Sequence, residues 1–477
     1  MSASHEQLVA EITREVIARL QAKLGPLDNG GTRGAAGADG VFATVDDAVK
    51  AAGAAHPRVA ALNLDDRGRL CDIVRRMCWD NSAEWGRLEL EETKLGRLDH
   101  KITKLKNIRL TVGAEAMRSE AKTDQSGICL IEHAPWGVIG MVLPATHSVP
   151  TMATNAINVL AAGNTAVFSP HPAGAKVAQL ALQAFNREIQ REFGIADALT
   201  TTTEATIQSA AEIFAHPGVA LLCVTGGPAV VKAAAQSGKR VIAAGPGNPP
   251  VVVDETADLD TAARHIIAGA AFDNNLLCIG EKEVFVVAAV FQAFIDAMRR
   301  AGAWLLDASA IDRLTRAAFR FDDEKNQSGA HVRKELIGRD VAVLAQAAGV
   351  TAPPGTDLLF GETAAGHPFV VEEQMMPFLP VVRVPDVDDA IAAAVKAEHG
   401  YRHTAVIHTR NVDTATRMAR LLNTTLFVHN GPCFASLSAP SYLSHSIATP
   451  TGEGVTTPLT FTRERRIVIG GGALRVL

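Results

Sequence analysis

Short apolar segments alternate with longer amphipathic segments from about residue 137 onward, and this alternation restricts the fold more than any other feature of the chain. The apolar segments include GVIGMVLP (137–144), NTAVFSP (164–170), VALLCVTG (219–226) and VVVD (251–254). Apolar strands separated by helices are typical of parallel sheets covered on both faces. The sequence therefore predicts an α/β protein with doubly wound sheets, preceded by a mainly helical stretch from Val41 to about residue 120.

Length and charge exclude several classes of protein. The 477 residues, 47% of them hydrophobic, suffice for two or three packed units. A net charge of -5 and a pI near 6.3 provide no overall basic field for nucleic acid or an acidic membrane. No apolar run approaches the roughly 20 residues that span a bilayer, and charged residues from Glu6 to Glu15 interrupt the N-terminus, unlike a secretory signal. We expect a cytoplasmic protein.

The six cysteines lack the CxxC spacing of a zinc site or a redox pair, so we expect no metal centre. Cys71 and Cys78 lie seven residues apart in a helical stretch, about 10 Å from each other, which is too far for a disulfide. Cys129 and Cys223 fall in apolar strands and are interpreted as core residues. Cys278 follows two asparagines and precedes a glycine, and these residues alone favour a core position and a functional loop equally.

The N-terminus has the pattern of a separate helix. Residues 4–24 carry apolar side chains on one helical face, and the glycine-rich segment 25–40 after them is typical of a flexible linker. Such a helix either packs on its own domain or binds a groove on another protein, and the linker favours the second alternative. Its mixed-charge polar face makes membrane association less favoured. We interpret residues 1–24 as a targeting helix.

The segment VTGGPAVVKAA at 224–234 is a candidate cofactor turn. Thr225 ends a strand, Gly226 and Gly227 allow a ligand to approach the backbone, and Pro228 can begin a helix whose N-terminus faces a phosphate. Glycines after strands are more often simple turn formers, and the chain contains no GxGxxG motif. The turn is therefore a weak signal when taken alone.

Several motifs in the same order resemble the CoA-acylating aldehyde dehydrogenases, especially those of bacterial microcompartments for propanediol or ethanolamine breakdown. The resemblance runs from about residue 41 to the C-terminus. The motifs are APWGVIG (134–140), LAAGNTAVFSPHP (160–172), VTGGP (224–228), AAGPGNPPVVVDETADLD (243–260), FDNNLLCIGEKE (272–283), EEQMMPFLPVVRV (372–384) and SIATPTGEG (446–454). The resemblance implies an aldehyde dehydrogenase-like fold with two doubly wound α/β domains and a small β flap for oligomerisation.

The resemblance places Cys278 at the family's nucleophile position. A thiolate can add to an aldehyde carbonyl, and the product can release hydride to a nicotinamide and leave a thioester. Hydrolytic relatives carry a glutamate that activates water, whereas Ala243 stands at that position here. Without this general base water attacks slowly, so an external thiol, coenzyme A, is expected to take the acyl group. Loss of the acid could also mark an inactive protein, which the retained motifs oppose.

The resemblance also implies cofactor contacts. Ser169, Pro170 and His171 replace a strand end where many relatives hold the adenosine ribose with a lysine, so NAD is favoured over NADP; His171 could also be only a turn residue between prolines. Gly245 lies in the glycine-rich motif. Glu373 matches the acid that binds the nicotinamide ribose, although an exposed surface acid is the alternative.

His147 departs from the family pattern. It stands where the family has an asparagine that binds the oxyanion. A histidine N–H can donate the same hydrogen bond, and an imidazolium would do so more strongly. The alternative, equally favoured, is that His147 faces elsewhere. We interpret the other histidines, including His399 and His403, as structural or surface groups.

The domain assignment follows from these motifs. Residues 41–122 and 137–248 are predicted to bind the dinucleotide, and 249–454 to form the catalytic domain. Residues 123–136 and 455–477 are predicted to form intersubunit strands of a homo-oligomer, either a dimer or a tetramer. The helix at 4–24 resembles peptides that attach this family to a shell protein, which implies the lumen of a bacterial microcompartment.

The predicted function is NAD-dependent conversion of a short-chain aldehyde and CoA into an acyl-CoA. Propionaldehyde is the first expectation and acetaldehyde the next. The two aldehydes differ by one methylene, which changes binding by only about 1–3 kcal/mol, so the sequence does not decide between them. Two alternatives remain open. One is a hydrolytic aldehyde dehydrogenase, and the other is a noncatalytic cargo or scaffold protein that retains the fold.

Overall fold

The computed structural model describes residues 39–323, 328–438 and 441–470. The predicted targeting helix and nearly all of the predicted linker lie outside these residues. The described residues divide into two compact units: the first comprises 39–92, 102–245 and 443–470, and the second comprises 93–101, 246–323, 328–438 and 441–442.

Six strands of the first unit form one parallel sheet. Their spatial order is Val41–Phe42, Leu199–Thr202, Thr165–Pro170, Val138–Leu143, Val219–Thr225 and Arg240–Ala244. After Val138–Leu143, the next two strands along the chain, Thr165–Pro170 and Leu199–Thr202, are added on one side of it. The following two, Val219–Thr225 and Arg240–Ala244, are added on its other side, so the order reverses at Val138–Leu143. The carboxyl ends of strands at such a reversal form the usual ligand crevice of doubly wound sheets.

The helices of this unit follow from local sequence signals. They are Val45–Ala60, Leu64–Asp80, Ser148–Ala161, Ala175–Phe193, Ile207–Ala215 and Pro228–Ala235. The Thr44 side chain accepts from the Asp47 amide at 3.1 Å and begins the first of them. Val45 and Val49 on this helix pack in one core cluster with Val138 and other sheet residues, and burial of each such side chain contributes about 1.5–3 kcal/mol.

The second unit contains a seven-stranded parallel sheet. Its spatial order is Trp304–Leu305, Leu359–Glu362, Phe378–Val384, Glu283–Val287, Pro250–Val253, Thr404–His408 and Leu426–His429. Its helices are Leu259–Ala270, Phe291–Arg300, Ala308–Ala318, Val341–Ala347, Pro368–Val371, Val387–Ala397 and Val412–Leu422. Val252 and Phe285 of the sheet share a core cluster with Ile391 and Met418 of two of these helices.

The remaining regular elements complete the description. Helices Ser82–Thr93 and Leu98–Asn107 span the points where the chain passes between units. Antiparallel pairs join Phe319–Asp323 to Ser328–Val332 and Ile447–Ala448 to Gly454–Val455, and a three-stranded sheet contains Glu120–Asp124, Gly127–Pro135 and Thr462–Gly470. The predicted α/β fold with doubly wound sheets and an early helical stretch is confirmed.

The bounds of the two units differ from the predicted domains at residues 93–101, 246–248 and 443–454, and the described part of the predicted intersubunit strands falls within the first unit. Residues 443–454 belong to the first unit, because the pair Ile447–Ala448 and Gly454–Val455 lies beside strand Arg240–Ala244. The Ala243 amide also donates to the Thr451 hydroxyl at 2.9 Å. Residues 93–101 pack with the second unit, where the Arg97 amide donates to the Asp273 carboxylate at 2.8 Å.

Candidate active site

Cys278 lies in the loop that joins helix Leu259–Ala270 to strand Glu283–Val287. Residues 273–275, Asp-Asn-Asn, adopt left-handed backbone angles with φ of 51°, 56° and 64°. This conformation is unfavourable for most residues, whereas asparagine and aspartate tolerate it. The two asparagines before the cysteine therefore shape the loop, and the Cys278 side chain is only partly buried.

Buried polar side chains close this loop. The Asn275 amide donates to the carbonyl oxygens of Ala270 at 2.8 Å and Glu281 at 2.9 Å, near the two ends of the loop. The Lys282 ammonium donates to the carbonyl oxygens of Asn275 at 2.9 Å and Leu277 at 3.0 Å, and also to the Asn275 side-chain oxygen. Buried networks with satisfied donors are rigid, so the position of Cys278 is defined by its neighbours.

Four chain segments lie side by side at the amino edge of the second sheet, each directly before one of its strands. Four neighbouring strands, Phe378–Val384, Glu283–Val287, Pro250–Val253 and Thr404–His408, are preceded by Glu373, Cys278, Gly247 and His403 respectively. Because the strands are parallel, their amino ends lie along one edge. Residues that are far apart in sequence therefore meet at this edge.

Gly247 is at the centre of this arrangement. A Cβ atom at Gly247 would lie 2.6 Å from the Cys278 carbonyl oxygen and 2.9 Å from Cγ of His403. The Cys278 loop and the His403 ring therefore both crowd a position that only glycine can occupy without displacement.

The charges around Cys278 oppose one another. Burial, and then the Glu373 carboxylate, raise the pKa of the Cys278 thiol to about 12, while Lys282 acts in the other direction. Burial also raises the pKa of Glu373 to about 7, against the effect of Lys282 and the Gly247 amide. Burial lowers the pKa of Lys282. The resting sulfur is therefore protonated near neutral pH.

His403 is a site residue that the sequence analysis set aside. It is buried, and its Nδ1 lies 2.8 Å from the Thr404 hydroxyl. Its Nε2 has no hydrogen-bond partner among the described residues. Burial, followed by the Lys282 charge, lowers the pKa of His403 to about 4. His403 is therefore a neutral imidazole near pH 7, and it lies beside Gly247 and the Cys278 loop.

The predicted cofactor residues of the first unit lie along one sheet edge. Ser169 pairs in register with Val142, Val142 with Val224, and Thr225 with Ala244. The strand ends that carry Ser169–Pro170, Thr225–Gly227 and Gly245 are therefore neighbours at the carboxyl edge near the chain reversal. Gly227 is exposed and precedes helix Pro228–Ala235, and no atom lies within 4 Å of where its Cβ would be. This backbone is open to a ligand.

The remaining predicted cofactor residues have different surroundings. His171 is exposed, and its Nδ1 accepts a hydrogen bond from the Ala173 amide at 3.1 Å, as expected of a turn residue. A Cβ at Gly245 would lie 2.7 Å from the Pro450 ring. Glu373 is partly buried and belongs to the second unit, with Cys278. The cofactor roles of these residues stay predictions.

His147 follows strand Val138–Leu143 and directly precedes helix Ser148–Ala161 in the first unit. It is 6% exposed, and its Nδ1 lies 2.9 Å from the Lys104 Nζ. An ammonium can only donate, so Nδ1 accepts and the ring proton is on Nε2. His147 can therefore donate a hydrogen bond through Nε2–H.

The structure corrects one cysteine assignment. Cys71, Cys78, Cys223 and Cys433 are buried and free. Cys129, predicted to be a core residue, is only partly buried, because its strand belongs to the three-stranded antiparallel sheet. Its register partner Val468 is 69% exposed.

Residues 39–323, 328–438 and 441–470 contain no group of three or more histidine, cysteine or acidic side chains that could hold a metal ion. In the same ranges, every helix is too short or too polar to cross a membrane.

A doubly wound sheet whose carboxyl edge is open to a ligand, together with a cysteine held in a fixed loop, is typical of a dinucleotide-dependent enzyme that uses a cysteine. The chain belongs to the aldehyde dehydrogenase family, whose model matches residues 31–441. The predicted relationship to the CoA-acylating branch is confirmed by 43% identity to an acetylating acetaldehyde dehydrogenase of Salmonella typhimurium strain LT2. That alignment covers 90% of this chain and 92% of the relative.

Solved structures agree with this assignment. A propionaldehyde dehydrogenase of Rhodopseudomonas palustris, with bound CoA and an acylated cysteine, has 38% identity and a TM-score of 0.87 over 91% of this chain and 98% of its own. A propionaldehyde dehydrogenase from the fucose utilisation microcompartment of Clostridium phytofermentans has 36% identity and a TM-score of 0.88 over 92% and 100%. The chain is thus an acylating aldehyde dehydrogenase, an oxidoreductase.

Proposed function

We propose that this enzyme oxidises a short-chain aldehyde with NAD and transfers the acyl group to CoA through a thioester on Cys278. The observation that supports this most directly is the position of Cys278: it is partly buried in a loop fixed by Asn275 and Lys282, next to Gly247 and His403. A buried structural cysteine does not require such a loop.

The first step is addition of the Cys278 thiol to the aldehyde carbonyl. The S–C bond forms, and the thiol proton ends on the carbonyl oxygen, giving a thiohemiacetal. NAD, when bound, would accept the hydride from carbon, the hydroxyl proton would pass to solvent, and a thioester would remain on Cys278. The closed loop keeps the sulfur in one position throughout these steps.

The second step is transfer of the acyl group to CoA, in which His403 acts as the base. With the Nδ1 proton donated to Thr404, Nε2 retains its lone pair and can take the proton of the CoA thiol. The new C–S bond forms as the bond to Cys278 breaks, and the proton returns to the Cys278 sulfur. Burial and the Lys282 charge lower the pKa of His403 to about 4, so the imidazole is neutral near pH 7 and does not retain the proton, which goes on to the departing Cys278 sulfur.

Water competes poorly in this second step because the segment that carries the base of hydrolytic relatives has Ala243 instead. Ala243 is 1% exposed at the end of strand Arg240–Ala244. A methyl group cannot accept a proton from water, whereas a thiol is a stronger nucleophile even without a base. The acyl-enzyme therefore persists until CoA arrives.

The first unit is the proposed NAD-binding unit. Ser169, Pro170, His171, Thr225, Gly226, Gly227 and Gly245 would hold the dinucleotide, and Glu373 would accept from the nicotinamide ribose. The open Gly227 backbone before helix Pro228–Ala235 suits a phosphate. Without a lysine beside His171, a 2'-phosphate has no cation to bind there, so NAD is preferred to NADP.

His147 is proposed to bind the oxyanion through Nε2–H, in place of the family's asparagine. The Lys104 contact at Nδ1 supports this role because it leaves the proton on Nε2. Replacement by alanine should slow acylation more than it weakens NAD binding, and equal rates would remove His147 from this role.

The assembly is proposed to be a homo-oligomer inside a bacterial microcompartment. Exposed apolar side chains on strand Thr462–Gly470, among them Ile467 (40%) and Val468 (69%), support an intersubunit sheet. Residues 4–24 are proposed to bind a shell protein. Deletion of residues 1–24 should leave catalysis intact and abolish shell association, and lost activity with an intact oligomer would contradict this assignment.

The substrate is proposed to be propionaldehyde or acetaldehyde, in that order of preference. The test measures NADH formation from both aldehydes with and without CoA, in the wild type, in C278S, and in C129S as a control for a partly buried cysteine. We expect CoA-dependent turnover that only C278S abolishes. Full turnover without CoA would support hydrolysis, and absence of turnover in the wild type would support a scaffold.

A further inference from the structure

Lys282 is a fully buried cation four residues after Cys278. It is 0% exposed. Its three N–H donors meet the backbone carbonyl oxygens of Asn275 and Leu277 and the Asn275 side-chain oxygen. All three acceptors are neutral, and all belong to the segment just before Cys278.

Burial of the Lys282 ammonium costs more free energy than stabilising a loop requires. A buried ammonium loses its hydration, and hydrogen bonds to neutral carbonyls recover only part of that free energy. The charge would therefore add little to stability that an uncharged donor could not supply. Its position 3.0 Å from the Leu277 carbonyl oxygen instead places a positive charge at the residue directly before Cys278.

We propose that Lys282 is a positioning residue for the acyl-transfer reaction. Its ammonium fixes the Leu277 carbonyl and hence the Cys278 sulfur, and its buried charge stabilises the Cys278 thiolate when that sulfur leaves the acyl group. This inference deepens the proposed function and rests on Cys278 being the nucleophile.

Several titratable groups surround Lys282, and some of them raise the pKa of the Cys278 thiol. The titratable groups that act on Lys282, or on which it acts, are Glu373, Cys278, Cys433, Glu283, Glu281 and His403. Burial and Glu373 both raise the pKa of the Cys278 thiol, and Lys282 is the side chain that lowers it. A thiolate that leaves into this environment has Lys282 as its nearby cation.

The test is the pH dependence of Cys278 alkylation by iodoacetamide in the full-length enzyme without NAD or CoA. Lys282→Met removes the charge and the three donors while keeping a similar volume. Asn275→Gly is the matched structural control: it removes the Asn275 side-chain bonds and keeps the charge, and glycine accepts the left-handed backbone. Thermal unfolding and oligomer size are measured for every variant.

We expect Lys282→Met to alkylate at least about tenfold more slowly at pH 8 and to show a higher apparent thiol pKa. Asn275→Gly should lower the melting temperature and turnover without raising that pKa. An unchanged alkylation profile in folded Lys282→Met would overturn the proposal, and so would an equal rise in pKa in Asn275→Gly.

A third variant decides the matter if Lys282→Met does not fold. Lys282→Arg keeps the charge, so a wild-type thiol pKa with reduced turnover supports the proposal, and a tenfold slower alkylation overturns it. Failure of the proposed function is a separate result: an enzyme that keeps its turnover in C278S, or after complete Cys278 alkylation, does not use this nucleophile.

Discussion

Gly247 lies directly against the carbonyl oxygen of Cys278: a Cβ atom added to Gly247 would be 2.6 Å from that oxygen. This contact joins the segment before strand Pro250–Val253 to the loop that carries Cys278. The His403 ring crowds the same position, because its Cγ would be 2.9 Å from that Cβ. The active-site edge of the second unit is therefore built around a backbone position with no room for a side chain.

Replacement of Gly247 by alanine tests this crowding. The new methyl group would lie 2.6 Å from the Cys278 carbonyl oxygen and 2.9 Å from Cγ of His403, so the loop or the ring must move. A displacement of about 1 Å at a reacting group lowers the rate about 10²-fold. We expect a loss of this order in kcat/KM. Gly366→Ala, with no atom within 4 Å of the new Cβ, is the control; equal rates for the two variants would contradict this geometry.

Replacement of His403 by asparagine separates the two half-reactions. Asparagine can still bond to Thr404 but cannot accept a proton. We expect the first-turnover burst of NADH to persist while CoA-dependent steady-state turnover falls about 10²-fold. The control is His399→Asn, because His399 is a more exposed histidine four residues earlier whose Nε2 contacts the Val371 carbonyl. Loss of the burst in His403→Asn would show that His403 acts before acylation.

Much of this molecule follows from its sequence, and the reasons are local. Strands such as Val138–Leu143 and Thr165–Pro170 agree with the apolar segments to within about a residue, because both faces of these strands are buried. The Cys278 loop was indicated by its asparagines and by family resemblance. Buried strands and the asparagine-rich loop depend on residues that are adjacent in the chain, so their local sequence predicts them.

His403 and Lys282 could not be assigned in the same way. The role of His403 depends on strand Thr404–His408 lying beside Pro250–Val253, an order that no local pattern encodes. The sequence signal for Lys282 is a charged residue just before the apolar strand Glu283–Val287. The tautomer of His147 depends on Lys104, 43 residues earlier in the chain.

The pH dependence of NAD binding tests the role of Glu373. Its pKa is raised to about 7, chiefly by burial, so the carboxylate that accepts from ribose hydroxyls is lost as the pH falls through 7. We expect KM for NAD to rise several-fold between pH 8 and pH 6 in the wild type. Glu373→Gln should show a higher KM that no longer changes over this range, and a KM that changes with pH as in the wild type would exclude Glu373.

Buried neutral histidines predict a loss of stability in acid. Burial, and then His265 and His429, lower the pKa of His408 to about 3, below its ordinary value of 6.5. The unfolded chain therefore binds a proton below pH 6.5 that the folded protein excludes. Stability from this residue is complete above pH 6.5 and falls as the pH drops toward 3, by roughly 1.4 kcal/mol per pH unit.

Variants at two histidines provide the measurement. His408→Gln should reduce the fall in melting temperature between pH 7.5 and pH 5.5, because glutamine gains no proton. His331→Gln is the control, since His331 lies on the surface. The account of His408 fails if both variants retain the full wild-type decrease.

The most direct test is the fate of the acyl group on the enzyme. The enzyme is mixed with NAD and propionaldehyde, quenched at intervals with and without CoA, and digested for mass spectrometry. We expect an acyl mass on the peptide that contains Cys278, stable for many turnover times without CoA and lost within one turnover when CoA is added. An acyl group on any other peptide, or one that disappears equally fast without CoA, would contradict a thioester that waits for a thiol.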